Sequence, residues 1–306
     1  SECVLSLAVR IAQATHGTLL LVRVVDPDTR KPSTATRTET CEKSADLQQA
    51  SAYLLETRQR LPAALSVQCI SCSGPIVPTL LALAKEHAID LILLCHRGET
   101  GIRGMRKRSV THHLACQSPL PLLVLHPDRP IPESAYPNPL HPLHTTEVMI
   151  AVDGSPYTAR TLFPALHLVA ALTAPTRGMA HLVHILPKND GTSHQEDAIL
   201  ARHYLQRLVT GLRQGFGERF NVEVVGSLIH EHDVRSGLVT VAEQGISVLH
   251  GGCELLALAT HRRRSSSDWL DKSITGYVLE RSILPLLMMP GSDEGLARGR
   301  NSIYVS

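Results

Sequence analysis

Glycines and arginines recur between Asp90 and Val110, and a serine follows them, in a pattern suited to binding an anion. The stretch DLILLCHRGETGIRGMRKRSV runs from an apolar, strand-like segment through a Gly- and Arg-rich loop into a helix-like segment. Loops of this kind hold phosphates, because backbone N–H groups and a helix N-terminus converge on the anion. Its glycines nevertheless match neither a P-loop nor a dinucleotide-binding fingerprint. The stretch therefore predicts either an anion site of another kind or a solvated basic loop.

The cysteines predict packed thiols rather than a redox or zinc site. Cys69 and Cys72 form a CxxC pair at a strand end, whereas redox-active pairs lie at helix N-termini. The sequence also lacks the second CxxC pair that a four-cysteine zinc site needs. The seven cysteines of the chain are scattered, which is typical of reduced thiols in a cytosolic protein.

The seventeen histidines of the chain give no predicted metal site. In the segment HEHD, His230 and His232 would lie on the same side of an extended strand and could coordinate a metal ion together. The segment comes where a strand gives way to a helix, so Asp233 is instead expected to cap that helix. His112 and the linker histidines have no carboxylate at a spacing that would complete a site.

Composition argues against a membrane protein, a nucleic-acid-binding protein and a dedicated enzyme. No run of about 18 apolar residues is present, and the first residues read as an amphipathic helix rather than a signal peptide. The net charge is only +2, and the basic runs RKR and RRR are too short to form the basic stripe of a nucleic-acid-binding surface. No Ser-His-Asp order, HExxH motif or carboxylate pair supports catalysis. We therefore predict a cytoplasmic protein that is not an enzyme.

The chain consists of two halves that repeat the same order of elements. After a proline-rich stretch from His126 to Thr146, the second half predicts five strands alternating with four helices. Its first strand ends in an Asp-Gly-Ser turn that begins at Asp153. The first half repeats this order from its first helix onward. Such alternation is typical of a doubly wound parallel sheet, and aromatic residues at 3% favour cores of Leu, Val, Ile and Ala.

The predicted domain boundaries follow from this repeat. Domain 1 spans residues 1–127, a proline-rich linker spans 128–145, domain 2 spans 146–290, and a tail follows at 291–306. Domain 1 lacks the first strand and its turn, although that strand is central in a fold of this kind. We therefore expect the sequence to be an incomplete record of the natural chain. Alternatively, the segment Asn301–Ser306 fills the gap, as in a circular permutation.

The duplicated pattern and its motifs resemble the universal stress protein family. The segments VMIAVDGSPYTAR and DLILLCHRGETGIRGMRKRSVTHHLACQSPLPLLVLH carry the resemblance, which covers the chain except for the linker, an insert at 27–40 and the tail after Pro290. The resemblance implies two tandem five-stranded, Rossmann-like α/β domains, the first lacking its first strand. In nucleotide-binding members of the family, a Gly-x2-Gly-x9-Gly-Ser/Thr loop after strand 4 wraps the ribose and phosphates of ATP.

Laid on this pattern, both loops of the chain are degenerate. The first half keeps the middle glycine as Gly98 and the serine as Ser109, but Cys and Arg replace the outer glycines. The second half keeps only the serine, Ser273. Side chains at positions that need φ > 0 weaken a phosphate cradle, although arginine can ligate phosphate directly. Asp153 matches the family's acidic residue at the base end of the site. The resemblance thus implies these candidate nucleotide-binding residues: Gly98, Ser109, Arg97, Arg108, Asp153, Arg262 and Ser273.

The resemblance and the degenerate loops predict a non-enzymatic stress-response or regulatory protein whose nucleotide affinity is reduced or lost. One alternative is an ATP- or AMP-binding switch with weak or no hydrolysis, in which Gly98, Ser109 and Asp153 contact the nucleotide. Another is a scaffold whose basic loops bind an acidic protein partner. The expected cofactor is accordingly none or ATP/AMP. The closing strands LPLLVLH and LPLLMM imply an internal pseudo-dimer of the two halves, and homodimerisation of the chain stays open.

Overall fold

The computed structural model describes residues 4–26, 39–96, 109–126, 147–155, 158–188, 193–245, 253–260 and 273–290. Within these ranges the chain forms two compact units, one from Val4 to Ile92 and the other from Leu93 onward. Both units alternate helices and strands, so the predicted α/β class is confirmed. No helix in these ranges is long and apolar enough to cross a membrane.

The unit from Val4 to Ile92 has a two-stranded parallel sheet among its described residues. Its elements are α1 (Leu5–Ala14), β1 (Leu19–Val25), α2 (Glu39–Gln59), β2 (Val67–Ser73) and α3 (Ile76–Glu86). Strand β1 pairs with β2 from Leu19, opposite Val67, to Val25, opposite Ser73. Apolar side chains on one face of each helix cover this sheet, because an amphipathic helix buries one stripe. The buried residues of these helices are Leu7, Ala8, Ala12, Ala50, Leu54, Val77 and Ala84.

The unit from Leu93 onward contains a seven-stranded sheet, whose first strand begins one residue earlier. Its elements are β3 (Ile92–Cys95), α4 (Val110–Gln117), β4 (Leu122–Leu125), β5 (Glu147–Ala151), α5 (Thr158–Thr173), β6 (Gly178–Pro187), α6 (Ser193–Leu212), α7 (Glu218–Phe220), β7 (Val222–Glu231), α8 (Val234–Gln244), β8 (Leu255–Thr260), α9 (Ile274–Arg281) and β9 (Leu286–Pro290). The strand order is β3-β4-β9-β8-β5-β6-β7. A π-helical turn, Arg213–Gly217, follows α6.

The central strands of this sheet are buried on both faces. Val148, Ile150 and Leu256 are each 0% exposed. Strands that helices cover on both faces read as continuous apolar runs rather than alternating ones. This explains why EVMIA and ELLALAT are recognisable in the sequence as strands of a parallel sheet.

The last strands of the two halves, β4 and β9, pair with each other in antiparallel orientation. Leu123 lies opposite Leu287, and Val124 lies opposite Leu286. These four side chains are at most 2% exposed. The pairing attaches β3 and β4 to the sheet of the second half, which explains why the compact unit begins near Leu93. The predicted linker lies outside the described residues, so the predicted domain boundaries stay a prediction.

The first half contributes strands β1 to β4. The expected lack of a strand before α1 stays a prediction. The alternative role of Asn301–Ser306 lies outside the described residues. The expectation that all cysteines are reduced is wrong, because Cys95 is disulfide-bonded. Disulfide pairing depends on tertiary proximity, which spacing in the sequence does not reveal. Four other described cysteines form no disulfide: Cys69, Cys72, Cys116 and Cys253.

Candidate functional site

The strand order creates a topological switch point between β5 and β8. From β5 the chain crosses to β6 on one side, whereas β8 lies on the other side of β5 and leads on to β9. Both β6 and β8 pair with β5 in parallel. In open α/β sheets, ligands bind outside the carboxyl ends of the strands at such a point. The segments that follow β5 and β8 are therefore the candidate ligand-binding segments of the second half.

Asp153 follows β5 at this edge of the sheet, and its carboxylate is engaged locally. Its Oδ1 accepts hydrogen bonds from the N–H of Ser155, at 2.9 Å, and from the hydroxyl of Thr158. The second bond ties the turn to the first residue of α5. Gly154 has a φ of 77°, a left-handed conformation that glycine adopts without strain. The Asp-Gly-Ser sequence thus forms a tight turn that supplies its own hydrogen bonds.

Two titratable side chains share the electrostatic environment of Asp153. His184 on β6 is buried, and its Nδ1 has no hydrogen-bond partner within the described ranges. Burial lowers the pKa of His184, and the charge of Asp153 opposes that shift. Burial raises the pKa of Tyr204 on α6, and Asp153 raises it further. Neither residue is among the sequence-predicted candidates; the available signal for His184 was a histidine inside an apolar strand, GMAHLVHIL.

The two serines that the resemblance assigns to phosphate have different surroundings. Ser273 caps α9, and its Oγ accepts a hydrogen bond from the N–H of Gly276 at 2.9 Å. Ser109 occupies the same position before α4, but its side chain makes no capping hydrogen bond. Only its backbone carbonyl serves the helix, by accepting from the N–H of His113 at 3.1 Å. The hydroxyl of Ser273 is therefore committed to its helix, whereas that of Ser109 is not.

The structure describes Asp153, Ser109 and Ser273 among the candidate nucleotide-binding residues. Asp153 and Ser273 follow β5 and β8, which are parallel neighbours, so both belong to the same edge of the sheet. Ser109 follows β3. The other candidates, Gly98, Arg97, Arg108 and Arg262, lie outside the described residues. The nucleotide-binding roles of all seven stay predictions.

A second polar cluster, which we call the His–Glu cluster, consists of His96, His112 and Glu280. Oε1 of Glu280 lies 3.3 Å from Nε2 of His96 and 3.0 Å from Nε2 of His112. The nearby imidazole groups of His112 and, to a smaller extent, of His96 hold the pKa of Glu280 well below its usual range. The ring of His126 packs edge-on against that of His96, with 5.3 Å between centroids. The expectation that His112 has no convergent carboxylate is therefore wrong, because the fold brings Glu280 to it from the other half of the chain.

Two local predictions are confirmed: Asp233 caps a helix, and the Cys69 thiol packs beside its sheet. Asp233 caps α8, and its Oδ1 accepts a hydrogen bond from the N–H of Arg235 at 3.2 Å. The Cys69 thiol is half-buried and lies 3.7 Å from the carbonyl of Leu54, to which it donates. Neither motif forms a metal-ligand set within the described part of the chain.

Comparison with known proteins agrees with this fold. The sequence model of the universal stress protein family matches residues 1–126, and no curated protein matches the sequence. A universal stress protein from Archaeoglobus fulgidus is 16% identical with a TM-score of 0.66, over 96% of this chain and 94% of that one. A functionally unknown protein from Pseudomonas aeruginosa is 17% identical with a TM-score of 0.55, over 97% and 90%. Residues 1–126 thus match the universal stress protein family, and the chain as a whole shares the fold of the solved universal stress protein from Archaeoglobus fulgidus.

Proposed function

We propose that the chain is a non-enzymatic stress-response regulator of the cytoplasm that acts by binding. In this proposal its nucleotide affinity is reduced, and what remains resides in the first half. The family match of residues 1–126 supports the general role. We assign the remaining affinity to the first half because the hydroxyl of Ser273 caps its helix, whereas that of Ser109 does not.

In the second half, the groups that would meet a nucleotide already have partners. Oδ1 of Asp153 accepts two hydrogen bonds within its own turn, and Oγ of Ser273 accepts one from Gly276. A ligand would have to compete with these bonds, each of which contributes about 1 kcal/mol. The loop that precedes Ser273 also lacks every glycine of the family pattern. These observations favour a weakened second site.

The first half offers better chemistry for a phosphate. Ser109 stands at the start of α4 with its hydroxyl uncommitted to the helix, and helix N-termini attract anions through unpaired N–H groups and the helix dipole. The sequence before it retains Gly98 of the family pattern, together with Arg97 and Arg108. Arginine at these positions can bind phosphate through its guanidinium group. An adenine nucleotide is therefore the proposed ligand.

A matched pair of variants tests the proposal. ATP and AMP would be titrated by calorimetry into protein freed of copurified nucleotide, for wild type, Ser109→Ala and Ser273→Ala. We expect Ser109→Ala to weaken binding about 10- to 100-fold, because a hydrogen bond to a charged group contributes about 1.5–3 kcal/mol. Ser273→Ala should leave affinity within about twofold, yet lower the free energy of unfolding by about 1 kcal/mol through loss of its cap.

The other outcomes each contradict a defined part of the proposal. If Ser273→Ala weakens binding and Ser109→Ala does not, the remaining affinity resides in the second half. If wild type binds neither ATP nor AMP, the nucleotide part of the proposal is wrong. The protein would then act through a macromolecular partner, and binding through its basic loops would weaken steeply with salt.

A further inference from the structure

We propose that the His–Glu cluster is a Zn²⁺-binding site. Its three potential ligand atoms, Nε2 of His96, Nε2 of His112 and a carboxylate oxygen of Glu280, lie within 4.8 Å of one another. Two ligands about 2.05 Å from a tetrahedral zinc ion lie about 3.3 Å apart. The observed separations of 3.0 and 3.3 Å from Glu280 to the two nitrogens are close to that value. An ion therefore fits after a small adjustment of the rings.

The types of ligand in the cluster suit zinc better than Mg²⁺ or Ca²⁺. Two imidazole nitrogens and one carboxylate form a His₂Glu set, which holds zinc with a fourth position for water or another ligand. Imidazole is a poor ligand for Mg²⁺ and Ca²⁺, which prefer oxygen. The proposal goes beyond the proposed nucleotide binding and does not depend on it.

Burial distinguishes the cluster from an ordinary surface ion pair. His96 is 2% exposed and His112 is 8% exposed. Despite their short separations from Glu280, neither Nε2 makes a well-oriented hydrogen bond within the described residues. Buried polar atoms without partners are costly, and a cation between the three groups would satisfy them together. The side chain of Glu280 is 41% exposed, which gives an ion a path from solvent.

The residues of the His–Glu cluster are not repeated at the equivalent positions of the other half. The two halves align on the serines that precede α4 and α9. This alignment pairs the following residues: His96 with Thr260, His112 with Gly276, and Cys116 with Glu280. At the equivalent place, the hydroxyl of Thr260 donates to the carbonyl of Met289 at 3.0 Å and so serves the sheet. The repeat therefore offers two equivalent places beside the pairing of β4 with β9, and only one of them carries the ligand set.

A bound ion would stabilise the fold, because its ligands come from both halves of the chain. His96 and His112 come from the first half of the sequence, whereas Glu280 lies on α9 of the second half. A bound ion would tie these segments together beside the pairing of β4 with β9. Because a ligand that binds only the folded state stabilises it, zinc should raise the Tm of the protein.

Metal titration of the full chain tests the proposal. Zn²⁺ would be titrated by calorimetry into EDTA-treated, nucleotide-free protein, and Co²⁺ would report tetrahedral geometry through its visible absorption. We expect one strong site per chain. His112→Gln and Glu280→Gln should each weaken binding at least about 100-fold, since loss of even an outer-shell partner costs about 10- to 100-fold.

Matched controls separate this site from adventitious binding. His230→Gln removes an exposed histidine of the HEHD segment, and Cys69→Ser with Cys72→Ser removes the CxxC thiols; both variants should keep wild-type affinity. X-ray absorption of zinc-loaded wild type should show imidazole and oxygen ligands, a result that does not depend on how any variant folds. The proposal is overturned if wild type binds no more zinc than Glu280→Gln, if the cysteine variant loses the site, or if sulfur ligates the metal.

Discussion

At the residue scale, the fold favours the neutral form of His184. Burial lowers its pKa, against the opposing charge of Asp153. An unfolded histidine has a pKa of about 6.5, so between the folded and unfolded values the unfolded chain binds more protons. The stability that neutral His184 contributes is therefore fully present above about pH 6.5, and it is lost as the pH falls through the folded pKa.

His184→Gln should flatten the pH dependence of stability in the acidic range. Urea unfolding of wild type and variant would be measured from about pH 7.5 to 5, a range centred near the unfolded histidine pKa. The difference in free energy of unfolding should stay constant above about pH 6.5 and shrink below it. His230→Gln, at an exposed position, should keep the wild-type slope. If the free energies of unfolding of wild type and His184→Gln change with pH in parallel, His184 is not the source of this pH dependence.

The predictability of single residues depends on how far away their partners lie. The capping role of Asp233 is visible in the sequence, because a cap acts on N–H groups two or three residues ahead. The partners of His96 and His112 are not, because Glu280 comes from another element.

At the element scale, α8 shows how one side chain defines a helix boundary. The Oδ1 atom of Asp233 accepts from the N–H of Arg235 and lies 3.2 Å from its Nε. Asp233→Ala should lower the Tm by a few degrees and speed amide exchange in the first turn of α8. Asp233→Asn, which keeps an acceptor oxygen, should retain most of the stability. Equal losses in both variants would mean that the charge, rather than the hydrogen bond, stabilises this helix end.

Elements were predictable where one pattern dominated. Helix α8 spans Val234–Gln244 and begins directly after its predicted cap, Asp233, because the cap and the apolar periodicity agree there. The end of α6 was less predictable: a π-helical turn, Arg213–Gly217, replaces a simple stop. A Cβ atom at Gly217 would lie 2.7 Å from the carbonyl oxygen of Val222. Close approach of the following strand therefore requires glycine, and this constraint is tertiary.

At the scale of the whole molecule, the pairing of β4 with β9 joins residues on both sides of the linker into one sheet. Leu123→Ala would open a cavity at a fully buried position of this seam, at a cost of about 2–5 kcal/mol. Hydrogen exchange followed by mass spectrometry should show faster exchange in β8 and β9 as well as in β4. Exchange in β1 and β2 should not change, because they form a separate sheet.

A matched substitution in the other sheet provides the control for this exchange experiment. Leu21→Ala removes a buried side chain of β1 and should speed exchange in β1 and β2 while sparing β9. If Leu123→Ala instead affects β1 and β2 and leaves β9 unchanged, the cooperative unit ends at the predicted linker. The domain boundaries drawn from the sequence would then describe the folding units.

The fold class was accessible from periodicity, but the extent of the sheet was not. Alternating helices and strands predict parallel sheets without saying how two sheets meet. The resemblance to a family implied that the two halves pair through their last strands. The structure adds the register of that pairing, in which Leu123 lies opposite Leu287. The positions of Gly98 and the loop arginines stay predictions, because they lie outside the described residues.

Two identical domains that pair through their last strands must repeat every substitution on both sides of the symmetry axis. A tandem chain encodes the two sides separately, so a change beside β4 has no obligatory twin beside β9. The His–Glu cluster and the non-equivalent residues Thr260, Gly276 and Cys116 are an instance of this freedom. The tandem arrangement thus frees the interface from exact symmetry, so that one of two equivalent places can carry a ligand set while the other serves only packing.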